Sequence, residues 1–267
     1  MDSTGSQAFY LLMDFNLQRR RFYAPPENIA GRVIKLDRDE SHHLSRVLRL
    51  DKGAEVFVLD GAGKEYACRV ARIAGIAVEL EITEELTVET ESPLKLILAQ
   101  ALAKSEKFDL IVQKAAELGI HQIIPLAADH ADMKLDHGRA SERQARWRRI
   151  SLEALKQCGR TRLVEIRMPV DVDSLLESNA TGNVFVAFTE RGGLALNKAM
   201  ANIVLPTEVT LMIGPEGGWS ERELTLFDQH RVVCATLGPR VLRTETAAIA
   251  AVALAQNILG DLSRPRS

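Results

Sequence analysis

A chain of 267 residues, 46% apolar and 26% charged with a net charge of −2, is long enough to bury two cores and reads as an ordinary soluble globular protein. Three widely spaced cysteines (Cys68, Cys158, Cys234) with no CxxC pair, and histidines scattered apart from the neighbours His42 and His43, exclude a disulfide framework and a zinc site, so no metal is expected. The opening MDSTGSQAFYLLMDFNLQRRR has no basic n-region and only a short apolar run, Ala8 to Met13; it suits neither a signal peptide nor a membrane span, and a cytoplasmic protein without a membrane partner, with a loose extension over residues 1–20, is expected.

Residues 21–90 carry short alternating runs, VIKL, AEVFVLDGAGKEYACRVARI and IAVELEI, with a Gly-Ala-Gly turn at 61–63, the pattern of a small antiparallel barrel or sandwich. Between them DESHHLSRVLRL reads as a helix with His43, Val47 and Leu50 near one face and Arg46 and Arg49 on another. The acidic stretch EELTVETESP stops at Pro93, which predicts a domain boundary near residue 92 and a second domain over 93–267.

Beyond it the period changes. LKLILAQAL is nearly continuous in apolar residues, as a strand buried on both faces should be, and KSEKFDLIVQKAAELG places Phe108, Ile111, Ala115 and Leu118 at helical spacing. The alternation continues through HQIIPLA, a basic helix over 139–158, VEIRMPV, NVFVAF, a helix near 195–202, EVTLMIG, a helix from Ser220, VVCATLG and a final alanine-rich helix. Strands alternating with helices predict a mostly parallel sheet covered on both sides, with ligands at the carboxyl ends of the strands.

Charge is uneven along the chain. Residues 139–167 hold nine Lys/Arg against three acids, and 19–72 hold twelve against eight, which predicts a polyanion against one face. In the basic helix Arg143, Arg146 and Arg149 form a stripe, while Trp147, Ile150 and Ala154 face the core.

Two strand ends are rich in glycine and proline: GPEGGWS (214–220) and LGPRVLRTETA (237–247). Glycine permits positive φ and close ligand approach while proline directs the turn, so two such loops side by side make a cup walled by main chain. GxGxxG and GxxxxGK[ST] are absent, and GPEGG carries Glu216 where a phosphate site wants lysine; the cup suits a ligand with cationic groups. Thr244 or Thr246 can cap the last helix, whose alanines 247, 248, 250, 251, 253 and 255 let it pack closely.

KSEKFDLIVQKAAELGI, RWRRISLEALKQCGRTR, IGPEGGWS and LGPRVLRTETA, in this order along the chain, resemble the signature segments of the bacterial 16S rRNA (uridine-N3)-methyltransferase family of the SPOUT superfamily, and RRFYAPP with HHLSRVLRL resembles its N-terminal PUA-like β-barrel. The resemblance covers about residues 20–262. It implies an α/β fold, a SPOUT-type C-terminal domain with a deep trefoil knot, S-adenosylmethionine (SAM) bound bent within it, a homodimer through the knotted domain, and 16S rRNA of the small ribosomal subunit as partner. Carried over by motif, the cofactor cup is Gly214, Pro215, Glu216, Gly217 and Gly218 with Leu237, Gly238, Leu242, Arg243 and Thr244, and Glu190 as a third wall.

Uracil N3 becomes nucleophilic when its proton leaves and charge spreads to O2 and O4, so a cation near those oxygens is needed; Arg243 is the candidate, with Glu245, Glu216 or water as base. Arg19, Arg20, Arg21, Arg46 and Arg49, with Arg143, Arg146 and Arg149, are candidate RNA contacts. One turn departs from the family: Ala128, Asp129, His130 and Ala131 stand where it has a serine-glutamate-arginine-like sequence. Two other readings stay open, a ribosome-assembly factor without chemistry and a related methyltransferase acting on tRNA or ribose.

Overall fold

The computed structural model describes residues 20–131, 137–178, 183–190, 192–201 and 208–264; the N-terminal extension up to residue 19, with Arg19, lies outside them. The described chain divides into two compact units. One runs to Thr90 and also holds Gly159–Arg162; the other holds Glu91–Cys158 and the chain from Leu163 onward.

The first unit is a six-stranded sheet: β1 (Arg21–Tyr23), β2 (Ile29–Ala30), β3 (Val33–Lys35), β4 (Glu55–Leu59), β5 (Glu65–Ala74) and β6 (Ala77–Leu86), in the order β1-β4-β5-β6-β3-β2. The wholly antiparallel arrangement predicted from sequence is corrected at one edge, because β1 runs parallel to β4. Alternation places Val56, Val58, Val70, Val78 and Leu80 in one core with Phe22, Ile34 and Leu44. Burial in that core pushes the Cys68 thiol up to about 12.

Helix α1 (Arg38–His42) is capped by Asp37, whose carboxylate accepts from the Glu40 amide at 2.8 Å, and it runs on as a π-helical turn over His43–Val47. That turn corrects the predicted face. The Leu48 N–H reaches back five residues to the His43 carbonyl, and the wider winding leaves Leu50 buried but Val47 60% exposed. Arg21 is corrected as well: its Nε donates to Glu65 Oε1 at 2.7 Å with the two side chains 6% and 1% exposed, so it closes the sheet interior and does not face phosphate. Arg20, Arg46 and Arg49 are exposed.

The second unit is a parallel sheet of β7 (Lys95–Ala101), β8 (Gln122–Ala127), β9 (Glu165–Ile166), β10 (Val170–Asp171), β11 (Asn183–Phe188), β12 (Leu194–Ala195), β13 (Glu208–Ile213) and β14 (Val233–Thr236). Its order is β10-β8-β7-β13-β11-β14-β12, with β9 also on β8, and every pairing is parallel. The helices are α2 (Ser105–Glu117), α3 (His137–Cys158), α4 (Val172–Glu177), α5 (Leu196–Ala201), α6 (Glu221–Gln229) and α7 (Thr244–Ile258). Two apolar cores flank the sheet. One joins α2, α3, α5 and α7 through Phe108, Trp147, Met200 and Val252; the other joins α4 and α6 through Leu175 and Phe227. Trp147 is buried with its ring centroid 4.2 Å from that of Phe108, a core residue as its helical spacing predicts.

The last helix is anchored at its far end by a buried amide. Gln256 donates to the Gly119 carbonyl at 3.1 Å and accepts from Ser92 Oγ at 2.7 Å, so α7 is tied to the end of α2 and the start of β7. Gly119 has φ +83°, and a Cβ there would lie 2.8 Å from the Gln256 amide nitrogen. Replacing Gln256 with alanine removes both hydrogen bonds, to the half-buried Gly119 carbonyl and from the half-buried Ser92 hydroxyl, and the expected loss is about 2 kcal/mol of unfolding free energy. Urea denaturation of the two proteins, compared by midpoint at unchanged slope, measures it.

Candidate active site

The site lies at the carboxyl ends of β11, β13 and β14. After β13 the loop Gly214–Trp219 turns with the Gly218 N–H bonded to the Pro215 carbonyl at 3.0 Å and Gly218 at φ +72°. A Cβ on Gly214 would lie 3.0 Å from the Trp219 ring, and one on Gly217 3.0 Å from His130 Cβ. A side chain at either position would press tightly on these neighbours, so glycine suits both. Trp219 Nε1 donates to the Phe188 carbonyl at 2.9 Å, which fastens this loop to the end of β11. Ser220 then starts α6 with a capping box to Glu223.

The second loop, 237–243, follows β14 and leads into α7. Neither threonine caps that helix, which corrects the expectation: the N-cap is Arg243, extended and without a side-chain cap bond. The Thr244 hydroxyl is committed elsewhere, donating to the Gly214 carbonyl and accepting from Gln100 Nε2, both at 3.0 Å. One buried hydroxyl thus joins the start of α7, the first loop and β7.

These loops enclose a cavity of about 780 Å³. Glu190, Gly214, Pro215, Glu216, Gly217, Gly218, Leu237, Gly238, Leu242, Arg243 and Thr244 all line it, joined by Lys107, Phe188, Trp219, Glu221 and Ala247. The volume is that of a small-molecule site, roughly 300–1,000 Å³, and its wall combines apolar side chains with exposed main chain.

Charge inside the cavity is organised by Lys107, which the sequence reading did not single out. Its ammonium is bonded to the Glu216 carboxylate and lies 4.0 Å from Glu245 Oε2. The bond holds the Glu216 carboxyl below the usual carboxylate range and the Lys107 ammonium above its own. Glu245 is not brought to the cavity wall. Its side chain is 15% exposed and Oε2 is buried without a hydrogen-bond partner, so it is not placed to take a proton from a base in the cavity. Arg243 is exposed on the wall, and its guanidinium makes no hydrogen bond or ion pair among the described residues.

Of the arginines on α3, Arg146 is bound by both Nε and Nη2 to Asp109 Oδ2, at 3.0 and 2.5 Å, while Arg149 is exposed and Arg143 half-buried. The divergent turn after β8 is also occupied. Asp129 accepts from Arg222 and from Ser220 Oγ, Arg222 reaches on to Asp173, and His130 Nδ1 lies 3.2 Å from the Gly218 carbonyl. This turn therefore braces the outer side of the GPEGG loop.

The RNA methyltransferase domain family matches residues 90–256, and the RNA methyltransferase PUA domain family matches residues 36–83. The ribosomal RNA small subunit methyltransferase E of Bacillus subtilis (strain 168) is 34% identical over 238 residues, which cover 86% of this chain and 89% of that protein. The chain belongs to this methyltransferase family. Two solved structures of similar proteins each cover 92% of this chain and the whole of the other: a methyltransferase from Legionella pneumophila in complex with SAM, 35% identical with a TM-score of 0.85, and a ribosomal RNA small subunit methyltransferase E from Neisseria gonorrhoeae bound to SAM, 31% identical with a TM-score of 0.83.

Within this family member the Asp129 brace carries a pH signature. Hydrogen bonds from Arg222 and Ser220 lower the Asp129 carboxyl below its ordinary value, so its stabilisation is present at neutral pH and lost as pH falls through the lowered folded-state value. The melting temperature of Asp129→Asn should lie below that of the unaltered protein at pH 7, with the gap closing as pH drops below about 4. A gap that widens in acid would show that the brace does not depend on the ionised carboxylate.

Proposed function

We propose that this chain transfers a methyl group from SAM to N3 of a specific uridine in the 16S rRNA of the small ribosomal subunit. The carrying observation is the cup itself: two loops joined through Thr244, walled by main chain, with a guanidinium free on the rim. Its chemistry suits the cofactor. Phe188, Ile213, Leu237, Leu242 and Ala247 offer an apolar slot for a purine, and the carboxylates of Glu190, Glu216 and Glu221 suit a ligand bearing cationic groups. The close contacts at Gly214 and Gly217 keep side chains out of the space beside the loop.

SAM, when bound, supplies an electrophilic sulfonium methyl. The chain holds the uracil ring in line with it and opposes the charge that appears when N3 gives up its proton. Arg243 has that second role, because its charge is not spent on a neighbour and it stands on the cavity wall. Glu216, ionised and bonded to Lys107, is a poor base, and Glu245 stands behind the wall, so the N3 proton leaves to solvent water.

The deep trefoil knot, a closed PUA-like barrel and a homodimer belong to the same proposal. A C-terminal helix fastened at Thr244 and Gln256 to strands and turns far earlier in the chain supports the knot. Leu254 and Ile258, one turn apart on α7 and 43% and 41% exposed, support a second copy on that face. Among the described residues no helix is long and apolar enough to cross a membrane. The proposed site of action is the cytoplasm, where the ribosomal substrate is. Arg20, Arg46, Arg49, Arg143 and Arg149 are the proposed phosphate contacts, and the target base is splayed from its stack to reach the cup.

Incubating the protein and SAM with small subunits from a strain lacking the modification, then mass spectrometry of the rRNA, should reveal one new methyl on uracil N3. A methyl on ribose or on another base atom would replace the assignment, and none at all would favour an assembly factor. Replacing Arg243 with alanine should lower kcat by about a hundredfold or more while SAM affinity, measured calorimetrically, changes little. RNA affinity should fall by on the order of a hundredfold for a fourfold rise in salt, as four or five phosphate contacts require; a flat salt response would remove those arginines from the interface.

A further inference from the structure

We propose that Lys107 is a displaceable counterion with two seats, Glu216 when the cavity is free and Glu245 when a cationic ligand claims Glu216. This rests on the SAM-binding reading above. Glu216 is on the cavity wall and its carboxylate is taken by Lys107, so a cationic group of a ligand and the lysine compete for one acceptor. Glu245 provides the alternative: Oε2 is buried, has no hydrogen-bond partner, and lies 4.0 Å from the Lys107 nitrogen. A buried carboxylate oxygen without a donor is unfavourable, and the move to it supplies the missing bond.

The surrounding charges agree. Lys104 and Arg243 also act on Glu216 through space, so its carboxylate stays ionised after the lysine leaves, while Arg243 repels Lys107 and favours its departure from the rim. Lys107 is a flexible side chain on the first turn of α2, and swinging between two acceptors needs only rotamer changes. A lysine that merely packed along the wall would leave ligand affinity unchanged. A competing one subtracts from it.

The experiment is isothermal calorimetry of SAM and of adenosine, which lacks the cationic methionine portion, on the full chain and on two variants. Lys107→Met frees Glu216 and should tighten SAM roughly three- to fivefold, the range of an exposed ion pair. Glu245→Gln removes the charged second seat, keeps Lys107 on Glu216, and should weaken SAM by a similar factor. Adenosine should bind all three proteins alike, and Lys107→Arg should bind SAM as the unaltered chain does. Unchanged or weaker SAM binding by Lys107→Met overturns the proposal; should that variant not fold, SAM affinity unchanged or raised in Glu245→Gln overturns it alone. Failure of the unaltered chain to bind SAM would instead reject the cofactor reading itself.

Discussion

The arrangement of the site depends on one hydroxyl. Thr244 has a single proton to give, and it goes to the Gly214 carbonyl; its lone pair accepts from Gln100, whose other amide proton is held by the Ala101 carbonyl. The direction of each bond is thereby fixed, and with it the separation between the loop after β13 and the start of α7. The hydroxyl and the Gln100 amide are buried, so this bond is shielded from water. A valine would keep the shape but leave the half-buried Gly214 carbonyl and the buried Gln100 amide without this partner. The same residue that begins the helix therefore sets the width of the cup.

Given that clamp, the glycines acquire separate reasons. Gly218 and Gly238 sit at φ +72° and +98°, where a side chain strains the backbone, and both have open space around the position a Cβ would take. Gly214 and Gly217 are different, being pressed by Trp219 and His130. Two glycines make the turns and two admit the neighbours that hold them. The cup has a main-chain wall because both requirements fall in the same few residues.

Periodicity carried the reading of the second unit. Continuous apolar strands such as LKLILAQAL and helical spacing through Phe108 and Ile111 are short-range patterns, and the structure realises both as β7 and α2. The two loops were legible for the same reason, since glycine and proline mark local backbone geometry. What escaped was long-range. Lys107 meets Glu216 across 109 positions, Arg222 meets Asp129 across 93, and Gln256 meets Gly119 across 137, and no local pattern encodes such pairs. Arg21 looked like a surface charge within RRR because nothing nearby announces its buried partner Glu65. The π-helical turn after α1 likewise breaks the 3.6-residue rule that groups Val47 with His43 and Leu50 on one face.

These long-range pairs also decide which charge stays available. A guanidinium near carboxylates would ordinarily be expected to close on one of them; Glu216 is near enough to Arg243 to feel its charge, and Glu245 is two positions from it. Lys107 prevents it by occupying the first, while the second turns its buried oxygen toward the lysine. Arg243 is left on the rim with its charge directed at solvent, at no desolvation cost in the resting protein. When a substrate excludes that solvent, the same charge acts in a lower dielectric and its field on a developing anion strengthens. The lysine on α2 thus secures the role of an arginine on a different segment, by removing the carboxylates that would otherwise neutralise it.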